Sequence, residues 1–212
     1  MKRTHSSIFF DLDGTISDSY PGIKNGIIFA LEKLGIENVE RHDIERMIGI
    51  PLKDSLGQFY FGEDKEKIEL AIKHFKAYYN SNGVYESEIY SGIRELLTNL
   101  ADSSELYIVT AKPTAIAKTL IEHHDLSHLF KQVLGYEEST ARFEKSNLIK
   151  RIIHSSENAV MIGDRVQDIE AGKDAKIQTI GVLYGYGEQQ EIESASPNYI
   201  AETVEDLAHL LG

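Results

Sequence analysis

A short apolar run near the start of the chain ends abruptly in two carboxylates. The run is Ser7-Ile8-Phe9-Phe10, and the chain continues as Asp11-Leu12-Asp13-Gly14-Thr15. Continuous apolar residues are typical of a strand that is buried on both faces of a sheet. Open α/β sheets bind their ligands at the carboxyl ends of the strands, and buried aspartates are costly unless they are paired, hydrogen-bonded or metal-bound. The run therefore predicts a strand with Asp11 and Asp13 at its tip, a position that favours a bound cation.

Beyond residue 89, apolar runs of strand length alternate with segments that have helical periodicity. The predicted strands are residues 105–110, 132–135, 158–164 and 178–183. The predicted helices are residues 92–100, 113–123, 145–154, 168–175 and 203–211. Strands that alternate with helices indicate a parallel, doubly wound sheet. We therefore predict an α/β fold with a Rossmann-like core.

Residues 16–88 have a different character, because helical patterns dominate there and no strand pattern is convincing. Apolar residues recur at helical spacing over residues 23–34 and 64–80, and a shorter helix is predicted over 42–47. Gly49-Ile50-Pro51-Leu52 breaks the pattern, and Pro51 suits the first turn of a further helix. The block predicts an all-helical cap at 16–88, inserted into a core of residues 1–15 and 89–212, where it would cover the strand tips.

The charge balance and the cysteine content limit the classes of partner and chemistry. The chain has 22 lysines and arginines against 34 aspartates and glutamates, so its formal net charge is −12. Such an acidic surface argues against a nucleic-acid polymer or an anionic membrane as the main partner. The chain has no cysteine, which excludes disulfides and thiolate chemistry. The apolar run before Asp11 is too short for a signal peptide or a membrane span, so we expect a cytoplasmic protein. The sequence does not distinguish a monomer from a homodimer.

Four polar features fall at predicted strand ends or helix starts, which is the arrangement that phosphoryl transfer requires. An anionic nucleophile and a phosphate ester repel each other unless a divalent cation and a lysine offset the charge. Each feature alone has an ordinary structural explanation, such as a solvated lysine or a carboxylate at a helix N-terminus. Together they supply the carboxylates, the hydroxyl and the lysine that phosphoryl transfer needs. The features are Asp11 with Asp13, Thr110, Lys145, and Asp164 with Asp168.

The same features resemble the four motifs of the haloacid dehalogenase superfamily, most of whose members are Mg²⁺-dependent phosphatases. Asp11-Leu12-Asp13-Gly14-Thr15 is similar to the first motif, and Tyr107-Ile108-Val109-Thr110 to the second. Lys145, after Arg142-Phe143-Glu144, resembles the lysine of the third motif. Gly163-Asp164-Arg165-Val166-Gln167-Asp168 resembles the fourth. The resemblance covers nearly the whole chain and implies a phosphatase acting on a small phosphate ester.

The resemblance also implies a role for each acidic residue. Asp11 would attack phosphorus and form an aspartyl-phosphate, while Asp13 would protonate the leaving group and later activate water. Mg²⁺ would be held by Asp11, the backbone carbonyl of Asp13, and Asp164. Asp168 would assist either through a metal-bound water or by orienting Lys145.

Four residues are candidates for substrate binding. Thr110 and Lys145 would hold the phosphoryl oxygens, and Gly14 lies beside the nucleophile in the sequence. Lys24, in the first cap helix, is a candidate contact for an anionic substrate group, although a solvated lysine is the simpler interpretation.

The helical cap resembles that of the phosphoglycolate phosphatase-like group, which includes mutases, pyrophosphatases and nucleotidases. Lys145-Ser146 departs from the Lys-Pro of many phosphoglycolate phosphatases, and residues 139–149 and 181–187 look more like a 5'-nucleotidase subgroup. The expected substrate is therefore phosphoglycolate or a nucleoside monophosphate. The alternatives are a β-phosphoglucomutase-like mutase and a non-catalytic binding module on the same fold. A signalling receiver domain is disfavoured by the helical insertion.

Overall fold

The chain forms two compact units. The computed structural model describes residues 5–37, 39, 44, 46–47, 50–137, 144–153 and 158–212. One unit consists of Met1–Asp18 and Ile89–Gly212, and the other of Ser19–Glu88. The second unit starts three residues after the predicted cap boundary at residue 16. Residues 16–18 belong to the first unit because Ser17 bridges to Asp13 and the Ile16 carbonyl accepts a hydrogen bond from the Tyr90 N–H.

The first unit is built on a six-stranded parallel sheet with the order β5-β4-β1-β6-β7-β8. Helices flank this sheet, so the predicted Rossmann-like α/β fold is confirmed. The strands are β1 (Ser7–Phe10), β2 (Ser17–Asp18), β3 (Glu88–Ile89), β4 (Glu105–Pro113), β5 (Phe130–Tyr136), β6 (Ala159–Gly163), β7 (Gln178–Val182) and β8 (Tyr199–Ala201). β2 and β3 form a separate two-stranded sheet. The expectation of no strand in residues 16–88 was wrong, because β2 lies in that range. It was missed because a strand of two residues is too short to produce a period-two pattern.

Nine α-helices have their bounds in the part of the chain that the structure describes, besides a π-helical segment at Gly57–Phe61 and 3₁₀ turns at Gly83–Tyr85 and Ser127–Leu129. They are α1 (Tyr20–Lys33), α2 (Leu52–Leu56), α3 (Lys65–Ser81), α4 (Ile93–Ala101), α5 (Thr114–His123), α6 (Lys145–Ile152), α7 (Val166–Asp174), α8 (Gln189–Ser194) and α9 (Val204–Leu211). The patterns anticipated the longer helices to within a few residues. They missed α8 and β8, which are too short for a clear periodicity.

β1 is the central strand of the first unit. Ile8, Phe9 and Phe10 are at most 1% exposed, as a strand covered on both faces requires. Phe10 pairs with a residue of β4 on one side and of β6 on the other, and the Phe9 ring stacks on Tyr107 with centroids 5.0 Å apart. Because all three strands are parallel, the residues that follow β1 and β6 emerge at the same edge of the sheet.

The second unit has its own apolar core. Buried side chains of α1, α2 and α3 pack together, among them Ile27, Leu31, Leu56 and Ala71. α3 begins after Asp64, whose carboxylate accepts the backbone N–H of Lys67 at 3.1 Å. Of the helix predicted over residues 42–47, residues 44, 46 and 47 are described and are helical, and the other three lie outside the described residues. Gly49, the first residue of the predicted break at 49–52, also lies outside the described residues, while Pro51 directly precedes α2 instead of lying in its first turn.

Candidate active site

Three buried carboxylates meet at the carboxyl edge of the parallel sheet. Asp11 follows β1, Asp164 follows β6, and Asp168 lies in the first turn of α7. One oxygen of each lies within 4.8 Å of the other two, and the three residues are between 0% and 4% exposed. Three oxygen donors at this spacing fit a hard divalent cation such as Mg²⁺ or Ca²⁺. The group contains three of the four acidic residues that the sequence patterns selected, and Asp13 is not part of it.

Lys145 is the main counter-charge of this cluster. It is the first residue of α6, and its Nζ lies 2.8 Å from Asp11 Oδ2 and 2.6 Å from Asp168 Oδ1. Burial alone would lower the pKa of Lys145, but the negative charges of Asp11 and Asp168 outweigh burial and raise it. Lys145 is therefore a fixed ammonium, and it bridges the residue after β1 to the helix after β6.

Asp164 is held by two hydrogen bonds. The Thr15 hydroxyl donates to Oδ1 at 2.9 Å, and the backbone N–H of Tyr186 donates to Oδ2 at 2.9 Å. Complete burial and the nearby charge of Asp11 nevertheless raise the pKa of Asp164 to about 6. Asp164 is therefore fixed in orientation, and burial disfavours its charged form.

Asp168 is held from two sides. Its Oδ2 accepts the backbone N–H of Arg165 at 3.1 Å at the start of α7, and Lys145 donates to its Oδ1. Burial raises the pKa of Asp168, although Lys145 acts in the opposite direction. Among the described residues, Lys145 is the cation that contacts these three buried carboxylates, and one lysine cannot neutralise all three, so a divalent cation would offset the remaining negative charge.

Thr110 does not end its strand, which is a correction to the sequence-based expectation. β4 continues to Pro113, and its pairing with β5 becomes irregular between Val109 and Pro113. Thr110 is 1% exposed, and its Oγ1 accepts the backbone N–H of Lys112 at 3.2 Å. It lies two residues after Ile108, which pairs with Phe10 of β1, so it lies beside the end of β1.

Lys112 is a buried cation that the sequence analysis missed. Its Nζ lies 2.8 Å from Asp13 Oδ2, and only 6% of the lysine side chain and 13% of the aspartate side chain are exposed. The available signal was a lysine two residues after Thr110, where an apolar strand pattern ends. The Asp13–Lys112 pair brings Asp13 and Thr110 into one region at the tips of β1 and β4.

The other two substrate-binding candidates lie in different units. Gly14 has φ = +85°, and a Cβ at this position would lie 2.2 Å from Asp164 Oδ2. The backbone at Gly14 therefore packs directly against the carboxylate cluster. Lys24 lies on α1 of the second unit, with its Nζ 5.9 Å from the centroid of the Tyr20 ring. A substrate contact by either residue remains a prediction.

The Tyr184-Gly185-Tyr186-Gly187 segment packs against the same cluster. A Cβ at Gly185 would lie 2.2 Å from the Gly14 carbonyl, and one at Gly187 would lie 1.8 Å from the Asp164 carbonyl. The Tyr186 hydroxyl donates to Asp18 Oδ1 at 2.7 Å, and the Tyr184 hydroxyl donates to the Thr15 carbonyl at 3.1 Å. The glycines permit a close approach that no other residue would allow.

A family model described as haloacid dehalogenase-like hydrolase matches residues 8–182, a range that contains all four motifs. The chain belongs to the haloacid dehalogenase-like hydrolase family. A 5'-nucleotidase from Pseudomonas aeruginosa is 32% identical over 212 residues, which cover 98% of this chain and 96% of that protein. A phosphoglycolate phosphatase from Aliivibrio fischeri is 28% identical, with 96% and 95% covered.

Solved structures of the haloacid dehalogenase-like family share the fold described above. A predicted phosphatase from Clostridium acetobutylicum superposes with a TM-score of 0.89 and 32% identity, and the match covers 97% of both chains. The resemblance drawn from the motifs is therefore confirmed. So is the predicted enzyme class, since relatives over the full length carry phosphatase and nucleotidase names.

None of the helices in the described ranges is long and apolar enough to cross a membrane. The cytoplasmic location remains a prediction from the sequence.

Proposed function

We propose that this protein is a Mg²⁺-dependent phosphatase that hydrolyses small phosphate monoesters through an aspartyl-phosphate on Asp11. The observation that carries the proposal is the cluster of Asp11, Asp164 and Asp168 with Lys145 shared between two of them. A buried group of carboxylates with too little positive charge costs folding free energy, and a cation would offset that cost. A catalytic role would explain why the protein retains a buried cluster that lowers its folding stability.

The oxygen donors fit Mg²⁺. Asp11, Asp164 and the backbone carbonyl of Asp13 would hold the ion, and Asp168 would act through a water or through Lys145. Bound Mg²⁺ supplies positive charge that offsets the repulsion between an anionic nucleophile and a phosphate ester. Thr15 and the Tyr186 N–H keep the Asp164 carboxylate oriented before any ion binds.

Asp11 is oriented for attack by two contacts. Its Oδ1 accepts the Leu12 N–H at 2.8 Å, and its Oδ2 lies 2.8 Å from Lys145 Nζ. In the first step a carboxylate oxygen of Asp11 bonds to phosphorus, the ester P–O bond breaks, and Asp13 donates a proton to the departing alkoxide. In the second step Asp13 takes a proton from water, which attacks the aspartyl-phosphate and releases inorganic phosphate. Asp11 is thereby regenerated.

The remaining candidates bind the substrate. Thr110, in β4 beside β1, and Lys145 would hold the phosphoryl oxygens that are not displaced. We infer that the backbone at Gly14 adds a close contact and that Lys24, on the second unit, meets an anionic group of the substrate. The second unit, Ser19–Glu88, is proposed to be the cap.

The substrate is proposed to be phosphoglycolate or a nucleoside monophosphate. Relatives with both names cover almost the whole chain, and the Lys145-Ser146 sequence favours the nucleotidase. The deciding measurement is phosphate release from phosphoglycolate, nucleoside monophosphates, sugar phosphates and pyrophosphate, each with Mg²⁺ and with EDTA. Mg²⁺-dependent release from one of them supports the proposal. If the protein binds Mg²⁺ but releases no phosphate from any ester, the phosphatase proposal is wrong, and a mutase or a binding module is favoured instead.

Mg²⁺ is expected to raise the melting temperature, and to raise it more at pH 8 than at pH 5. The pKa of Asp164 is raised from 3.8 to about 6, so folding without metal takes up a proton between these values. The free energy of unfolding therefore falls as the pH rises between them, by roughly 3 kcal/mol in total for this shift. Mg²⁺ can restore this lost free energy of unfolding only at pH values at which Asp164 is ionised. Differential scanning fluorimetry with and without Mg²⁺ measures the effect.

Asp174→Asn, an exposed change at the end of α7, is the control and should keep the wild-type shift. Asp164→Asn should lose it. A Mg²⁺-induced shift of equal size at both pH values would contradict the placement of the ion at Asp164.

A further inference from the structure

Asp13 has two carboxylate oxygens in different environments. Oδ2 lies 2.8 Å from Lys112 Nζ, while Oδ1 is buried and has no hydrogen-bond partner among the described residues. A buried carboxylate oxygen without a partner is costly and uncommon in native proteins. A catalytic role for Asp13 Oδ1 would explain why this oxygen is buried without a partner while Oδ2 is paired with Lys112.

Lys112 is held where it meets Asp13. Its backbone N–H donates to Thr110 Oγ1 at 3.2 Å. Its carbonyl is approached so closely by Gly135 of β5 that a Cβ on that glycine would lie 2.2 Å from it. The irregular end of β4 therefore fixes the base of a long side chain that would otherwise sample many rotamers.

We propose that Lys112 is a positioning residue that anchors Asp13 through Oδ2 and so leaves Oδ1 directed to the leaving group of the substrate. The proposal rests on the proposed phosphatase function, in which Asp13 passes a proton to the departing alkoxide. Without the anchor, the Asp13 side chain would rotate about its Cα–Cβ bond, and its free oxygen would be in reach of the leaving group for only part of the time.

Two other roles for Lys112 predict different behaviour. If Lys112 bound the phosphoryl group directly, its loss would weaken every phosphate ester alike. If the ion pair were only structural, its loss would lower stability and all activities together. A positioning role predicts that the effect depends on how much the leaving group needs a proton.

The test compares Lys112→Met and wild type on two esters. One is the best alkyl ester from the phosphate-release panel, and the other is p-nitrophenyl phosphate, whose leaving group departs without a proton at neutral pH. General acid catalysis contributes about 10²–10⁴-fold. We expect kcat/KM for the alkyl ester to fall at least about 30-fold, which is a partial loss of that contribution, and kcat/KM for the aryl ester to fall less than about threefold.

A second readout separates the two chemical steps. In Lys112→Met the aryl ester should still phosphorylate Asp11 rapidly, whereas the water step, which needs Asp13, should slow. Stopped-flow mixing should then show a burst of p-nitrophenolate close to the enzyme concentration. Lys112→Arg, which keeps a cation at this position, should recover part of the alkyl-ester activity.

Two controls accompany the comparison. Lys118→Met removes an exposed lysine from α5 and should behave as wild type on both esters. Calorimetric titration should give Lys112→Met an unchanged Mg²⁺ affinity, because Lys112 contacts the Asp13 carboxylate and the proposed ligand is the Asp13 backbone carbonyl. Equal losses of kcat/KM on both esters would overturn the positioning role. So would a loss of Mg²⁺ binding that is accompanied by a lower melting temperature. A wild-type protein that is inert on both esters would instead overturn the proposed function.

Discussion

Asp11→Asn is expected to lower kcat at least about a thousandfold on the best phosphate ester, which corresponds to roughly 4 kcal/mol of lost transition-state stabilisation. An amide is a far poorer nucleophile than a carboxylate, so no aspartyl-phosphate should form. The fold should survive, because the side-chain carbonyl oxygen of the introduced asparagine can still accept the Leu12 N–H that Asp11 accepts at 2.8 Å. Steady-state phosphate release measures the loss.

The aspartyl-phosphate can be sought directly. Acid quenching of wild type during turnover, followed by peptide mass spectrometry, should find a phosphoryl group on the peptide that contains Asp11 and none in Asp11→Asn. Asp174→Asn provides the same chemical change at an exposed position of the same unit and should retain wild-type kcat. Turnover by Asp11→Asn within a few-fold of wild type would remove Asp11 as the nucleophile.

Lys145→Met is expected to lower the free energy of unfolding by about 3–5 kcal/mol in EDTA, because it leaves Asp11 and Asp168 buried without their shared cation. Methionine fills a similar volume, so packing loss contributes little. The loss should be smaller at pH 5 than at pH 8. Burial raises the pKa values of Asp164 and Asp168, so these groups take up protons as the pH falls and their mutual repulsion disappears. Urea denaturation at the two pH values measures both effects.

Saturating Mg²⁺ should restore part of the stability of Lys145→Met, because the ion supplies the charge that the lysine carried. The matched control is Lys150→Met, an exposed change on the same helix, α6, and it should alter stability by less than about 0.5 kcal/mol. If the two variants unfold at the same urea concentration in EDTA, Lys145 does not offset the charge of the carboxylates.

Local sequence patterns were sufficient to locate the longer strands and most helices. Ile8, Phe9 and Phe10 point to both faces of the sheet and are all apolar, so both faces must be covered. The structure buries these residues at the centre of the sheet. The longer helices carry enough turns for their periodicity to be recognised. β8 and α8 have three and six residues, which is too few for a periodic pattern to stand out.

The end of β4 was predicted wrongly from the local sequence. A hydroxyl after an apolar run suggested that β4 ends at Thr110, yet the strand continues through Lys112 to Pro113. The extension is stabilised by pairing with β5, in which Pro113 pairs with Tyr136. Such pairing depends on a strand that begins 17 residues after Pro113, so nothing near Thr110 predicts it.

By itself the sequence singled out Asp11, Asp164, Asp168 and Lys145, which the structure brings together, but not Lys112. Asp11 and Asp164 are placed at strand tips, and Asp168 and Lys145 at helix starts, by apolar runs that are local in the chain. Only the tertiary structure decided which of them pair. The order β4-β1-β6 sets three strand tips side by side, and Lys145 can bridge Asp11 and Asp168 only because α6 and α7 meet at that edge. The physical reason is that burial patterns are encoded locally, whereas the pairing of buried charges depends on which strands become neighbours.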